Sequence, residues 1–291
     1  MEKQLSNAQR AQVLTQALPY IQRYNGKIIV VKYGGNAMVN NTLKQQVMED
    51  IVLLQLVGVK VVLVHGGGPE INEVMERMGK QARFVDGLRV TDKESMEIVQ
   101  MVLAGKVNKS LVNLLELKGG KAMGISGVDG RLIEAQMRAP QLGYVGSVTG
   151  VNIQPVTDLL EKGYIPVIST IGCDREGNIY NINGDTAAAC IAGALEAERL
   201  IAMTDIAGIL MDKDDPNTLI WEMTISQAEK LSAQGIISGG MIPKVECCID
   251  AINHGVKKVI IMDGRVPHSI LMELLTDEGA GTMILEDKIN E

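Results

Sequence analysis

Five short runs in this chain are apolar almost from end to end, and helical patterns lie between them. They are KIIVVKY (27–33), VKVVLVH (59–65), YIPVIST (164–170), RLIAMTD (199–205) and KKVIIMD (257–263). A strand that is apolar on both faces must be covered on both faces, and the helical crossovers that join parallel strands supply that cover. Amphipathic helical patterns fill the intervals: Thr42–Val57, Pro69–Met78, Thr186–Leu195, Thr224–Ala233, Pro243–Asn253 and Pro267–Leu275. The expected class is therefore α/β, a three-layer αβα sandwich around a mainly parallel central sheet. The closing GTMIL (281–285) reads as an edge strand.

Two stretches depart from this rhythm. Between 118 and 155, glycines and alternating residues predict an inserted antiparallel hairpin suited to act as a lid, with Asp129-Gly130 as a hairpin turn. Residues 1–26 predict an N-terminal helical extension, with a narrow stripe of Leu5, Ala8, Ala17, Leu18 and Ile21 and a restart at Pro19. No Pro- or Ser-rich linker divides residues 27–291, so one continuous sheet with two lobes (27–178 and 179–291) is expected. The acidic run 212–215 reads as a solvated loop.

Composition removes several functions. The net charge is -7 over 291 residues and aromatics make up 3%, which disfavours nucleic-acid footprints and base-stacking platforms. Cys173, Cys190, Cys247 and Cys248 include no C-x-x-C, and the three histidines form no H-E-x-x-H, so no metal site or disulfide framework is expected. The first ten residues lack a signal-peptide core, and no apolar run nears the ~18 residues of a membrane span. The expectation is a cytoplasmic protein without nucleic-acid or membrane partners.

The glycines carry the functional signal. The first strand runs into Gly34-Gly35-Asn36 and the second into Gly66-Gly67-Gly68-Pro69. In a parallel sheet these clusters share the carboxyl edge, where backbone N–H groups and a helix N-terminus converge on an anion. Two tight turns without a ligand are the simpler alternative. A third cluster, Asn181-Ile182-Asn183-Gly184-Asp185, puts three polar side chains on one side if it is extended. Asp185 alone would also serve as a helix N-cap. Further clusters are Thr204-Asp205-Ile206-Ala207-Gly208 and Ser238-Gly239-Gly240-Met241-Ile242-Pro243-Lys244. A lysine in a helix's first turn opposes the dipole, which gives Lys244 a functional rather than a structural reading. G-x-x-x-x-G-K-[ST] and G-x-G-x-x-G are absent, as are H-R-D and D-F-G, so neither a P-loop nor a plain dinucleotide fold is indicated.

In order, VKYGGN, VHGGGPE, GLRVT, NINGD, TDIAGI and GGMIPK resemble the amino-acid kinase family, and within it the branch that phosphorylates N-acetyl-L-glutamate. The resemblance covers essentially everything from Lys27 onward. It implies a phosphotransferase that uses ATP with Mg2+ and makes N-acetyl-L-glutamyl 5-phosphate, the second step of arginine biosynthesis. Residues 27–178 would mainly hold the acetylated amino acid, and 179–291 mainly ATP. Lys32, Lys244 and Asp185 would be catalytic. Gly66, Gly67, Arg89, Asn181 and Asn183 would bind the acceptor, with a surface ion pair as the plainer reading of Arg89. Gly34, Gly35, Thr204, Asp205, Ile206, Gly208, Ile209, Leu210, Ile236, Ile237 and Ser238 would border the nucleotide.

The resemblance also implies a homo-oligomer, either a dimer or a hexamer built as a trimer of dimers, and a PII-type signalling protein among its partners. Long members with a helix before the first strand resemble arginine-inhibited forms. On that reading L-arginine would bind near Tyr20, His268, Glu278 and Gly281, with the carboxylate of Glu273 also at hand. Residues 1–26 merely covering a flank is the alternative. An acceptor one methylene longer, of the acetylaminoadipate type, is separated only weakly by sequence. The chemistry is self-consistent, because a side-chain carboxylate with pKa near ~4.3 is already ionised and requires no general base.

Overall fold

The computed structural model describes residues 6–38 and 40–287. The chain opens with α1 (Asn7–Gln16), capped reciprocally by Ser6 and Gln9, and α2 (Leu18–Tyr24). Pro19 lies in the first turn of α2, so the restart falls where its missing N–H is harmless. Leu5 of the predicted stripe lies outside the described residues. α1 buries none of its side chains, whereas α2 buries Tyr24.

The body then runs through β1 (Ile28–Tyr33), α3 (Asn41–Leu56), β2 (Lys60–His65), α4 (Gly68–Arg77), and the small hairpin β3 (Phe84–Val85) and β4 (Leu88–Arg89). Next come α5 (Lys93–Gln100), a π-helical segment (Met101–Val107), α6 (Asn108–Leu117), β5 (Ala122–Ser126), β6 (Ile133–Met137) and β7 (Gly146–Val151). α7 (Gln154–Glu161), β8 (Ile165–Ser169), β9 (Ile171–Cys173), β10 (Ile179–Asn181) and α8 (Gly184–Ala194) follow. The chain closes with β11 (Arg199–Thr204), β12 (Glu222–Thr224), α9 (Ile225–Ala233), α10 (Met241–Asn253), β13 (Lys258–Asp263), α11 (Ser269–Leu275) and β14 (Gly281–Leu285).

Eight strands form the central sheet in the order β12-β14-β13-β11-β1-β2-β8-β5. The six from β13 to β5 are parallel. Alternate residues feed opposite cores. Ile29 and Val31 join the cluster that includes α3, α5, α6 and α11, while Val30 joins the one beneath α8 and α10. That double burial is why these strands read as unbroken apolar runs.

Two expectations need correction. β14 is not an edge strand: it lies antiparallel beside β13, and β12 forms the edge outside it. β12 has three residues, too few to leave a period in the sequence. Asp129-Gly130 is not a hairpin turn either. It carries the chain from β5 in the central sheet to β6 in a second, four-stranded sheet ordered β10-β9-β6-β7. The Asp129 carboxylate accepts from the Ser126 N–H (2.6 Å) and hydroxyl (2.9 Å), and Gly130 takes φ +58°. The antiparallel hairpin itself is β6 with β7, closed through residues 138–145. The 212–215 run is an exposed or partly exposed loop. Among the described residues, no helix is long and apolar enough to cross a membrane.

Candidate active site

The carboxyl ends of the parallel strands come level at one edge of the sheet, with Tyr33, His65 and Ser169 side by side across β1, β2 and β8. One residue before that edge, Lys32 rises from β1. Its Nζ lies 2.8 Å from Asp185 Oδ1, and Lys244 Nζ lies 3.1 Å from Asp185 Oδ2. One carboxylate is thus shared by two ammonium groups, leaving an excess positive charge. Burial alone would push the Asp185 carboxyl up, but Lys32 and Lys244 outweigh it and hold it at about 2. The backbone makes room for this. A Cβ on Gly34 would stand 3.3 Å from Lys32 Nζ, and one on Gly184 would stand 3.5 Å from its Cε. Gly35 turns the chain with φ +67°.

The Asn-Ile-Asn-Gly-Asp segment is extended only through Asn183. Asn183 caps α8, its Oδ1 accepting the N–H groups of Asp185 (2.9 Å) and Thr186 (3.1 Å). The expected alternation therefore stops there, and Asp185 is a residue of the first helical turn, where the dipole favours its charge. Lys244 occupies the first turn of α10, which starts at Met241. The charge of Asp185 offsets its unfavourable place against that helix's dipole. Asn181 donates from Nδ2 to the Thr91 hydroxyl at 3.3 Å.

On the other side of Lys32, Gly66 donates its N–H to the Tyr33 carbonyl (3.1 Å), and α4 begins at Gly68 with no side-chain cap from Gly67. The first turn of α4 is therefore left without a side-chain cap. Arg89 reaches the same place. It is 7% exposed, donates from Nη2 to the Gly68 carbonyl at 3.3 Å and stacks 4.8 Å from the Phe84 ring. No ion pair among the described residues includes it, so the surface ion pair considered above does not exist in this structure. Burial lowers its pKa, and with no carboxylate paired to it among the described residues the guanidinium has the charge and geometry to receive an anion.

The expected nucleotide residues take two parts. Thr204 ends β11 and lines the small cavity at Lys32, Asp185 and Lys244. Its hydroxyl donates to Asp205 Oδ1 (3.3 Å). Ile206 and Leu210 are partly exposed, while Ile209 and Ile237 are buried in the core, so only their backbones can face a ligand. The Ile209 N–H is held by the Thr282 hydroxyl at 2.8 Å. Gly208, at φ +147°, packs so closely on Thr282 that a side chain there would collide. Ile236 and Ser238 sit in the turn that leads into α10, whose Met241 N–H reaches the Ser238 carbonyl (3.2 Å).

A groove of about 960 Å³ runs past Asp185 and Lys244, bordered by Val148–Val151 of the hairpin, by Arg138, Ala139, Gln141 and Leu142, and by the turn at Asp86-Gly87. Cys247 and Cys248 also line the inner cavity. Sequence reasoning passed them over because their spacing fits neither zinc nor a disulfide.

Outside this cluster, α2 packs against α11. Tyr20 is hydrogen-bonded to the Asp277 side chain and stacks with Arg23 at 5.9 Å. His268 Nδ1 is 2.6 Å from Asp50, Glu278 is exposed, and Gly281 is buried in β14. Glu273, expected to be available to a ligand, is not: Oε1 pairs with Arg199 at 2.8 Å and Oε2 accepts the Ala280 N–H at 2.9 Å.

The amino acid kinase family model matches residues 27–263, and the chain belongs to that family. An acetylglutamate kinase of Brachyspira hyodysenteriae is 53% identical over 285 residues, covering 97% of this chain and 99% of that protein. An acetylglutamate kinase of Clostridium beijerinckii is also 53% identical, covering 96% and 99%. Among solved structures, an N-acetylglutamate synthase of Neisseria gonorrhoeae, complexed with coenzyme A and N-acetyl-glutamate, superposes with TM-score 0.84 at 25% identity. The match covers 96% of this chain and 64% of the synthase, so the likeness is confined to part of the larger protein.

Proposed function

We propose that this chain transfers the γ-phosphoryl group of ATP to the side-chain carboxylate of N-acetyl-L-glutamate. The observation that carries this reading is the Lys32–Asp185–Lys244 cluster, set between glycine turns at the sheet edge. A carboxylate oxygen attacks the γ-phosphorus, the bond to the bridging oxygen breaks, and ADP leaves with that oxygen. No proton has to move. The obstacle is the approach of two anions, and the excess charge of the two lysines offsets it as negative charge spreads over the transferring group. Asp185, fully ionised at neutral pH, keeps both ammonium groups aimed at one point.

Gly34 and Gly35 would present N–H groups to the phosphates, and Gly66, Gly67, Arg89, Asn181 and Asn183 would hold the acceptor. The backbone around Thr204–Leu210 and Ile236–Ser238 would border the nucleotide, giving residues 27–178 mainly to acceptor and 179–291 mainly to ATP. No group of three metal-ligating side chains occurs among the described residues, and both Asp185 oxygens are taken by lysines. Mg2+ would accordingly enter with the phosphates of ATP, in keeping with its preference for phosphate and water oxygens.

The same reading includes feedback by L-arginine. Its support is the junction of α2 with α11, where Tyr20, Asp277 and Glu278 offer an aromatic face and carboxylates, Glu273 being already engaged. α1 exposes Val13 and Leu14, which suits contact with another copy in a dimer or hexamer. A cytoplasmic setting and a PII-type partner complete the proposal.

The test is an ADP-release assay across N-acetyl-L-glutamate, glutamate, aspartate, carbamate and acetylaminoadipate. Clear preference for the first is expected, and equal rates with free glutamate would overturn it. For regulation, a truncation starting near Gly26 should lose both assembly size and arginine inhibition. A full-length protein indifferent to millimolar arginine would remove that part.

A further inference from the structure

Behind the Gly66-Gly67-Gly68 turn lies a buried polar chain that the phosphoryl-transfer chemistry does not use. His65, the last residue of β2, is fully buried. Its Nδ1 is 2.8 Å from the Gly66 carbonyl oxygen, and its Nε2 is 3.1 Å from Nδ2 of Asn108. Asn108, 1% exposed, is the first residue of α6, directly after the π-helical segment. The same Nδ2 reaches the carbonyls of Val167 (2.9 Å) and Ile125 (3.2 Å), and Oδ1 receives Lys109 Nζ at 3.0 Å. Every neighbour of Nδ2 other than the imidazole is an acceptor and the neighbour of Oδ1 is a donor, so the amide has one sensible orientation.

The tautomer of the ring follows. The Gly66 carbonyl can only accept, so the proton of the neutral ring is on Nδ1, and Nε2 faces the Asn108 amide as an acceptor, sharing its two protons with the Val167 and Ile125 carbonyls. Burial, aided by the positive charges of Lys44 and Lys109 and opposed by that carbonyl bond, lowers the ring's pKa to about 4. The ring is neutral wherever the enzyme would work. The surroundings are shaped for this arrangement. A side chain at Gly124 would collide with Asn108 Oδ1, and a Cβ at Gly67 would stand 2.7 Å from Leu103 Cδ2 in the π-helical segment.

The peptide between Gly66 and Gly67 links this chain to the site. It is trans, so its C=O and N–H point in opposite directions. Tying the carbonyl inward to a fully buried imidazole turns the Gly67 N–H outward, where it makes no hydrogen bond to another described residue. We propose that His65, locked by Asn108 as its Nδ1–H tautomer, is a positioning residue that aims the Gly67 amide at the acceptor anion. This rests on the reading that Gly67 binds the acceptor. It assigns His65 and Asn108 a part in acceptor recognition without contact with the substrate.

His65→Asn and His65→Leu separate this from plain packing. An asparagine amide reaches about where Nδ1–H stands and can still donate to Gly66, whereas leucine fills the space and cannot. We expect His65→Asn to keep KM for N-acetyl-L-glutamate within about threefold of the wild type. His65→Leu should raise it about tenfold, with KM for ATP within twofold. Asn108→Leu, which frees the tautomer, should fall between them. Equal impairment by both His65 variants, or parallel rises in both KM values, would overturn the proposal. Two-bond proton–nitrogen NMR of the wild-type ring needs neither turnover nor a variant that folds. It should show a protonated Nδ1 and a bare Nε2 from pH 6 to 8, and the reverse would overturn the proposal equally. A wild-type protein inert toward N-acetyl-L-glutamate would instead remove the proposed substrate. In that case the clamp is judged by the ring spectrum and by Gly67 amide exchange, which should change about tenfold in His65→Leu and whose constancy would refute it.

Discussion

Two sheltered carboxylates of this protein pair with cations and do opposite work. Glu273 on α11 meets Arg199 of β11 at 2.8 Å, its second oxygen receives the Ala280 N–H, and the guanidinium lies 5.2 Å from the Tyr24 ring. Charge is balanced one to one and the groups are buried from water. Asp185 instead serves two lysines and opens on a groove, with 21% of its side chain exposed. The carboxyls respond accordingly. Burial pushes Glu273 up against the opposing pull of Ala280 and Arg199, while Asp185 is drawn down to about 2 by its surplus of cations. A closed, neutral pair fixes α11 and α2 to the sheet. An unbalanced, partly open one has charge to spare for an incoming anion.

Breaking the unbalanced cluster should have the largest effect. Lys32→Ala and Lys244→Ala are each expected to lower kcat by about 10²–10⁴ with little change in KM for the acceptor, since their charge acts most strongly as the phosphoryl group moves. Steady-state kinetics with saturating ATP checks this, and a near-normal kcat in either variant disproves the role. The balanced pair should answer in stability instead. Glu273→Ala leaves Arg199 buried and unpaired, at a cost of about 3–5 kcal/mol. Thermal melting should show a fall of several degrees, with kcat of the remaining folded enzyme unchanged.

Arg89 sharpens the contrast, being a buried cation without any carboxylate among the described residues. Arg89→Lys is expected to raise KM for the acceptor about tenfold with kcat within a few-fold, because an ammonium cannot reproduce a planar two-pronged clamp. Unchanged KM in initial-rate assays would remove Arg89 from the acceptor site.

The smallest effect concerns Asp50, a carboxylate beside a histidine. Burial pushes it up to about 6, against the lowering influence of hydrogen bonds from His268 and the Leu271 backbone, and its Oδ2 has no hydrogen-bond partner among the described residues. A raised carboxyl pKa favours folding below the unfolded value near ~3.9, and that contribution is lost as pH rises through about 6. Asp50→Asn should therefore melt about 2–4 °C higher than the wild type at pH 8, roughly 1 kcal/mol, and only about half as much higher at pH 5. Equal differences at the two pH values would show that ionisation is not the cause. Asp185 has the opposite sign: its contribution is present above ~3.9 and disappears only as pH falls through about 2.

Much of this was legible in the residues. Unbroken apolar strands required a doubly covered parallel sheet, because both faces of Ile29–Val31 are buried. Glycines after consecutive strands marked the carboxyl edge of the sheet, and a lysine set against the dipole in the first turn of α10 singled out Lys244, which the fold brings to Asp185 beside Lys32. These are local or periodic signals, and covalent geometry makes them readable without a fold. What only the tertiary structure decided was pairing across distance. Nothing near residue 273 in sequence says that Arg199 has already claimed Glu273, so its apparent availability was misleading. β14 left the edge because a three-residue strand with no period of its own packed outside it. The exchange of cap between Asn183 and Asp185 turned on where the helix begins, a choice of one or two residues that capping geometry makes. Asn108 lies 43 positions from His65, and its meaning depends on β2, β5, β8 and α6 meeting at one point. Sequence fixes which groups exist and which local shapes they prefer; packing decides which of them find partners inside the fold and which remain to receive a ligand.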